Sequence, residues 1–153
     1  KPDLLPARSG KFNLTRMKID QPLVDAAIDL LKRRFAPGQG VAAALYTADG
    51  DLFTSAVFEP EYGGGGLCAE TGALLQAHTL AKQVTASACV AYAGDGRIVI
   101  LSPCGICQER LRHWGGAVEV AVPDPNDPTR WIAKTLREVQ PYYWANVYLE
   151  DER

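Results

Sequence analysis

Residues 67–82, LCAETGALLQAHTLAK, decide how this chain is read. Strong helix formers fill the run and apolar residues fall on most of its sides, which predicts a buried helix. Its first turn is expected to hold Cys68 and Glu70. Just before it, EPEYGGGG (59–66) interrupts all pattern. Four consecutive glycines suit neither a helix nor a strand interior, so this loop either moves or passes its backbone close to something.

Further back, VAAALYTADGDLFTSAVF (41–58) holds two β-prone runs around Ala48-Asp49-Gly50-Asp51, the signature of a hairpin. IDQPLVDAAIDLLKRRF (19–35) offers Asp20 as a cap, Pro22 in the first turn, helical apolar spacing and a basic last turn, so a first helix ends before Pro37. Forward of the deciding stretch, SACVAYA (87–93) reads as a fully buried strand and RIVIL (97–101) as a second β run. CGICQERLRHW (104–114) is a third helix stopped by Gly115-Gly116, and AVEVAV (117–122) and TRWIAKT (129–135) read as strands. LREVQ (136–140) predicts a short helix, and YYWANVYLEDER (142–153) has no decided form. Helices alternating with short buried strands indicate a layered α/β domain around a sheet.

The chain has 153 residues, enough for one sizeable core, and residues 17–153 are expected to form a single domain. Residues 1–16, with two prolines and no periodicity, read as a flexible extension or a remnant left by expression. Hydrophobic residues make up 47% and charged residues 22%, which argues against disorder. No apolar run is long enough to cross a bilayer and no secretion signal is recognisable, so a cytoplasmic location is the expectation. A net charge of -2 lacks the basic footprint that binds phosphates, so a small neutral substrate fits better than a long nucleic acid.

Four cysteines, two of them in Cys-x-x-Cys, are open to a disulfide framework, a redox pair or a metal site. Adding Cys68-Ala69-Glu70 at a separate helix start turns the balance to metal. Three soft thiolates, Cys68, Cys104 and Cys107, suit one zinc ion and leave a fourth tetrahedral position for water, as catalytic rather than purely structural sites do. Glu70 stands two residues beyond a ligand, where a carboxylate can take a proton from that water and pass it on. Helix starts also favour negative charge and lower thiol pKa values.

The pair CAE…PCGIC, with 36 positions between Cys68 and Cys104, resembles the cytidine deaminase superfamily, a signature given for zinc deaminases in general. Residues 41–70 line up without gaps against the hairpin, loop and helix of the small tetrameric cytidine deaminases, and LREVQPYYW is similar to their C-terminal segment. Blasticidin S deaminases share the pattern, and CAETGALLQAH and SPCGICQERLRHWG resemble bacterial proteins grouped with them. The resemblance implies a three-layer α/β/α sandwich with a central mixed five-stranded sheet. It also implies one zinc per subunit and a homo-oligomer, a tetramer or else a dimer, with sites near subunit interfaces. The implied reaction is hydrolytic deamination of cytidine and 2′-deoxycytidine, with base-modified analogues, to the uridine products and ammonia. The alternative is an aminonucleoside antibiotic such as blasticidin S. Glu70 would be the proton carrier, and the backbone around Cys68 and Ala69 would help position the base.

Four departures accompany the likeness. The family's arginines after the Glu and after the last cysteine fall on Thr71 and Gln108, which implies a more electron-rich zinc unless Gln108, Arg110 or another arginine compensates. The ribose-binding pair falls on Val57 and Glu59, and an aromatic that packs the nucleoside falls on Gln39. Only Glu59 keeps the family's chemistry, which implies a looser or different pocket.

Plainer readings stand beside these. Cys89, in an apolar strand, is a small hydrophobe without a role. His78 and His113 do not lie at ligand spacing from the cysteines. Glu59, before a glycine loop, reads equally well as a solvated side chain, and Tyr142, Tyr143, Trp144 and Tyr148 read as packing or as the wall of a neighbour's pocket. A zinc protein used only as a binding module is opposed by Glu70, and editing of a base in RNA or DNA is opposed by the acidic composition.

Overall fold

In a computed structural model, residues 18–61 and 64–148 are described, and the N-terminal stretch 1–16 lies outside them. The elements run α1 (Gln21–Arg34), β1 (Val41–Thr47), β2 (Leu52–Ala56), α2 (Glu70–Thr79), β3 (Val84–Tyr92) and β4 (Ile98–Leu101). They continue with α3 (Gly105–Leu111), β5 (Glu119–Asp124), β6 (Asp127–Thr135) and α4 (Leu136–Val139).

α1 begins where the sequence places it. Asp20 accepts a hydrogen bond from the Leu23 backbone N–H, Pro22 sits in the first turn, and Lys32, Arg33 and Arg34 face the negative end of the helix dipole. β1 and β2 pair antiparallel with Tyr46 opposite Leu52, and Gly50 in the turn has φ +86°, a left-handed conformation that glycine adopts without strain.

The sheet is open and mixed, in the order β2-β1-β3-β5-β6, with β4 paired to β3. It contains six strands rather than five, for a reason visible in the register. β3 pairs parallel with β5 through Ala86 and Ser87, then antiparallel with β4 from Cys89 to Tyr92, so β4 and β5 share one side of β3. The sheet is five strands wide where β5 lies beside β3. Eight consecutive residues of β3 are buried because both of its faces are covered.

Alternate residues of the central strands point to opposite faces. Ala42, Ala44, Ala86, Ala88 and Val90 pack with Leu23, Ala27 and Leu31 of α1. Leu45, Val84 and Val120 pack on the other face with Ala73, Leu74 and Ala77 of α2 and Leu111 of α3. The result is a three-layer α/β/α sandwich whose α2–α3 face carries the cysteines. Among the described residues no helix is long and apolar enough to cross a membrane.

α2 starts later than the sequence reading places it. An isolated antiparallel bridge pairs Leu67 with Phe58, and the helix opens at Glu70 with Ala69 as its N-cap residue. Cys68 therefore precedes the helix instead of lying in its first turn. The expected third helix is α-helical only to Leu111; Arg112–Trp114 tighten into a 3-10 turn that ends at Gly115, φ +99°.

Candidate active site

The Cys68, Cys104 and Cys107 sulfurs all lie within 4.8 Å of one another, and Cys68 Sγ is 3.4 Å from Cys104 Sγ. None is in a disulfide. Cys104 is the N-cap residue of α3 and Cys107 lies in its first turn, while Cys68 arrives from the bridged strand across the site. Cys107 Sγ stands 3.3 Å from Glu70 Oε2, and both residues are buried. Two helix starts and one extended segment thus converge 36 residues apart in sequence.

Protons are shared unevenly among these thiols. The contact with Cys104 pushes the Cys68 thiol up, with burial adding to it. Burial acts on Cys104 in the same direction, but the backbone N–H of Cys107, the neighbouring thiols and the backbone N–H of Ile106 outweigh it and hold Cys104 below the ordinary value. Cys107 is pushed well up, first by burial and then by the Glu70 carboxylate. Crowded thiols beside a carboxylate are poor anions by themselves, and a dication reverses that balance. Thiolates about 2.3 Å from a tetrahedral zinc lie roughly 3.8 Å apart, so this donor set fits one.

Cys68 and Cys104 open on a cavity of about 210 Å³, with Cys107 buried behind them. Glu70 and Cys104 contribute its polar side, and Val41, Val57, Ala69 and Leu101 supply an apolar wall. Val57 and Ala69 line the cavity, whereas Glu59 is exposed and outside the lining. Cys89 does line it, which the sequence reading missed. Its burial in an apolar strand was legible, but its direction was not. It faces the cavity with Ala43 and Ala69, and its thiol is pushed well up by burial and then by Glu70. Two larger clefts, about 490 and 500 Å³, lie beside His78–His113 and between α3 and Tyr143–Ala145, and the cysteine cluster opens on neither.

Neighbouring side chains fix the site from behind. Gln108 donates to the Pro103 carbonyl at 2.8 Å, so it is turned to the backbone, and Arg110 donates to Thr71 Oγ1 at 2.7 Å. Of the residues considered as replacements for the family's arginines, Arg110 is the one that reaches position 71.

An α/β/α sandwich carrying three convergent thiols and a buried carboxylate at one apolar cavity defines a hydrolytic deaminase. No sequence-family model matches the chain. Among solved structures, it is similar to the cytidine deaminase from Bacillus anthracis, with 40% identity, a TM-score of 0.77, and 84% of this chain and 91% of that one covered. The Mycobacterium leprae cytidine deaminase matches at 26% identity and TM-score 0.60, covering 78% and 95% of the two chains. That from Burkholderia pseudomallei matches at 25% and 0.62, covering 79% and 95%. The chain belongs to the cytidine deaminase family, as the resemblance in its sequence implies, and is a hydrolase of that type.

Proposed function

We propose that this enzyme hydrolyses cytidine and 2′-deoxycytidine, with base-modified analogues, to the uridine products and ammonia, using one zinc ion per chain held by Cys68, Cys104 and Cys107. The observation that carries the proposal is the convergence of those three sulfurs within 4.8 Å beside the Glu70 carboxylate. Zinc bound there supplies Lewis acidity and makes water a competent nucleophile near neutral pH.

The chain's own residues do the rest. Glu70, 4% exposed in the first turn of α2, accepts one proton of the attacking water and delivers it to ring N3, then takes the proton of the C4 hydroxyl so formed and delivers it to the departing amine. Water adds at C4 and the C4–N bond breaks, so cytidine and water become uridine and ammonia. The Ala69 backbone and the Val57 side chain contact the substrate, and Glu59 stands toward the sugar side, two residues from Val57. The apolar wall excludes water from the reacting ring.

A homo-oligomer, a tetramer in preference to a dimer, completes this reading. It is supported by exposed apolar residues such as Phe58 at 56% and Trp144 at 66%. Residues 17–153 make one domain, and the partners are small nucleosides rather than long nucleic acids or membranes. Unpaired cysteines fit a reducing, cytoplasmic location.

A second reading has an observation in its favour. Val57 faces the cavity where the family resemblance places a polar ribose partner, and an aminonucleoside such as blasticidin S carries a different sugar. Ammonia release measured with cytidine, 2′-deoxycytidine, their 5-substituted analogues and blasticidin S separates the two. Turnover of cytidine supports the first reading, and untouched cytidine with consumed blasticidin S supports the second. Glu70→Ala should abolish ammonia release while the protein keeps its zinc; activity surviving that change refutes the mechanism.

A further inference from the structure

In α1 the N-cap carbonyl of Asp20 accepts from the Val24 N–H, and in α3 that of Cys104 accepts from the Gln108 N–H at 2.8 Å. This four-residue bond closes the first turn of a helix. In α2 the corresponding groups are the Ala69 carbonyl and the Ala73 N–H. Both go to one side chain on β2. Ser55 Oγ donates to the Ala69 carbonyl and accepts from the Ala73 N–H at 2.9 Å. One hydroxyl on β2 therefore clamps both groups of the first rung of α2.

The sequence makes room for it. Gly72 faces that serine, and a Cβ there would stand 2.8 Å from Ser55 Cβ and 3.4 Å from its Oγ. That separation is too short for any side chain at position 72 unless β2 and α2 move apart. Ser55 and Gly72 thus form a matched pair: one supplies the wedge and the other the gap.

The gripped carbonyl belongs to the peptide group joining Ala69 to Glu70, between the Cys68 sulfur and the Glu70 carboxylate. Ala69 is 1% exposed and also lines the cavity. Whatever holds that peptide sets the direction in which Glu70 enters the site. We propose that Ser55 is a positioning residue for the reaction: its hydroxyl fixes the first turn of α2 and so aims Glu70 at the reacting ring. The inference rests on the reading of Glu70 as the proton carrier. Misplacement of a reacting group by about 1 Å can lower turnover about 100-fold without weakening binding.

The test uses the zinc-loaded enzyme and whichever nucleoside of the panel is turned over fastest. Ser55→Ala should lower kcat about 10- to 100-fold, leave KM within about threefold, and retain one zinc per chain. Ser55→Thr, which keeps the hydroxyl, should restore most of kcat. Should Ser55→Ala fail to fold, Ser55→Thr and Gly72→Ala carry the test, the latter forcing the wedge away while keeping its oxygen. A kcat unchanged in Ser55→Ala, a loss in Ser55→Thr as large as in Ser55→Ala, or full kcat in Gly72→Ala would overturn the proposal. Glu70→Ala, measured alongside, separates the two claims. If it stays active, the reading of Glu70 fails; if it is dead while Ser55→Ala is unimpaired, only the role of Ser55 fails.

Discussion

Arg110 Nη1 donates to Thr71 Oγ1 at 2.7 Å, tying a cation on α3 to the residue that follows Glu70 on α2. The Thr71 N–H in turn donates to the Cys68 carbonyl at 3.0 Å, so one short chain of hydrogen bonds links α3 to the segment bearing the first cysteine. A charge-assisted bond to a 5% exposed hydroxyl is stronger than a neutral one, although the exposed guanidinium is partly screened.

Breaking that link has a measurable consequence. Arg110→Ala and Thr71→Val should each lower the melting temperature by about 2–4 °C, in keeping with about 1 kcal/mol in a domain of this size. The double variant should lose less than the sum, with a coupling energy of about 0.5 kcal/mol or more. Strict additivity in the thermal melts would show that the two side chains do not interact in solution.

Metal removal should act on both activity and stability. Chelation abolishes ammonia release, addition of zinc restores it, and the melting temperature falls in the metal-free protein because only the folded state presents the three sulfurs together. A thiol reagent then distinguishes the cysteines. Cys104 is exposed and its thiol is held low, so it reacts first, whereas Cys89, 5% exposed and pushed up by burial, stays silent. Equal rates at the two positions would contradict this site.

Core packing on the far face should be separable from chemistry. Leu31 of α1 is fully buried against the side of the sheet opposite the cysteines. Leu31→Ala should destabilise the fold by about 3 kcal/mol and lower the melting temperature by about 6–12 °C. kcat at 25 °C should remain within about twofold. A large kcat loss in folded protein would mean that the α1 layer controls the site.

The C-terminal helix supplies a pH signature. Glu138 and Thr135 form a capping box at α4, and the Thr135 backbone N–H, Lys134 and the Thr135 hydroxyl hold the Glu138 carboxyl at about 2. A carboxyl held low in the folded state stabilises it above the ordinary value, about 4.3, and the contribution is lost as pH falls from there toward 2. The melting temperature of the parent should exceed that of Glu138→Gln near pH 6, and the difference should shrink between about pH 4.3 and pH 2. A constant gap across that range would exclude the carboxylate as its source.

Much of this was legible in the chain itself. The cap at Asp20, the hairpin turn at Gly50, the burial of β3 and the pairing of CAE with PCGIC are all local patterns, set by backbone preference or by the chemistry of neighbouring residues. The start of α2 was not, because Leu67 pairs with Phe58 across the glycine-bearing loop, a contact that no local pattern encodes. All six β runs were legible as well; what was not is that β4 and β5 divide the length of β3 between them, a matter of register that no single segment encodes.

The sequence alone singled out the side chains of the candidate site, since three thiols and a carboxylate at that spacing suit few other tasks. Their arrangement was decided by tertiary contacts. Cys89 entered the cavity because strand alternation turned it toward Ala69, Arg110 came to Thr71 because α2 and α3 lie on one face, and Ser55 entered the first turn of α2 because Gly72 left it space. Each depends on distances between residues 14 to 39 positions apart, which are fixed only when the sheet closes beneath both helices.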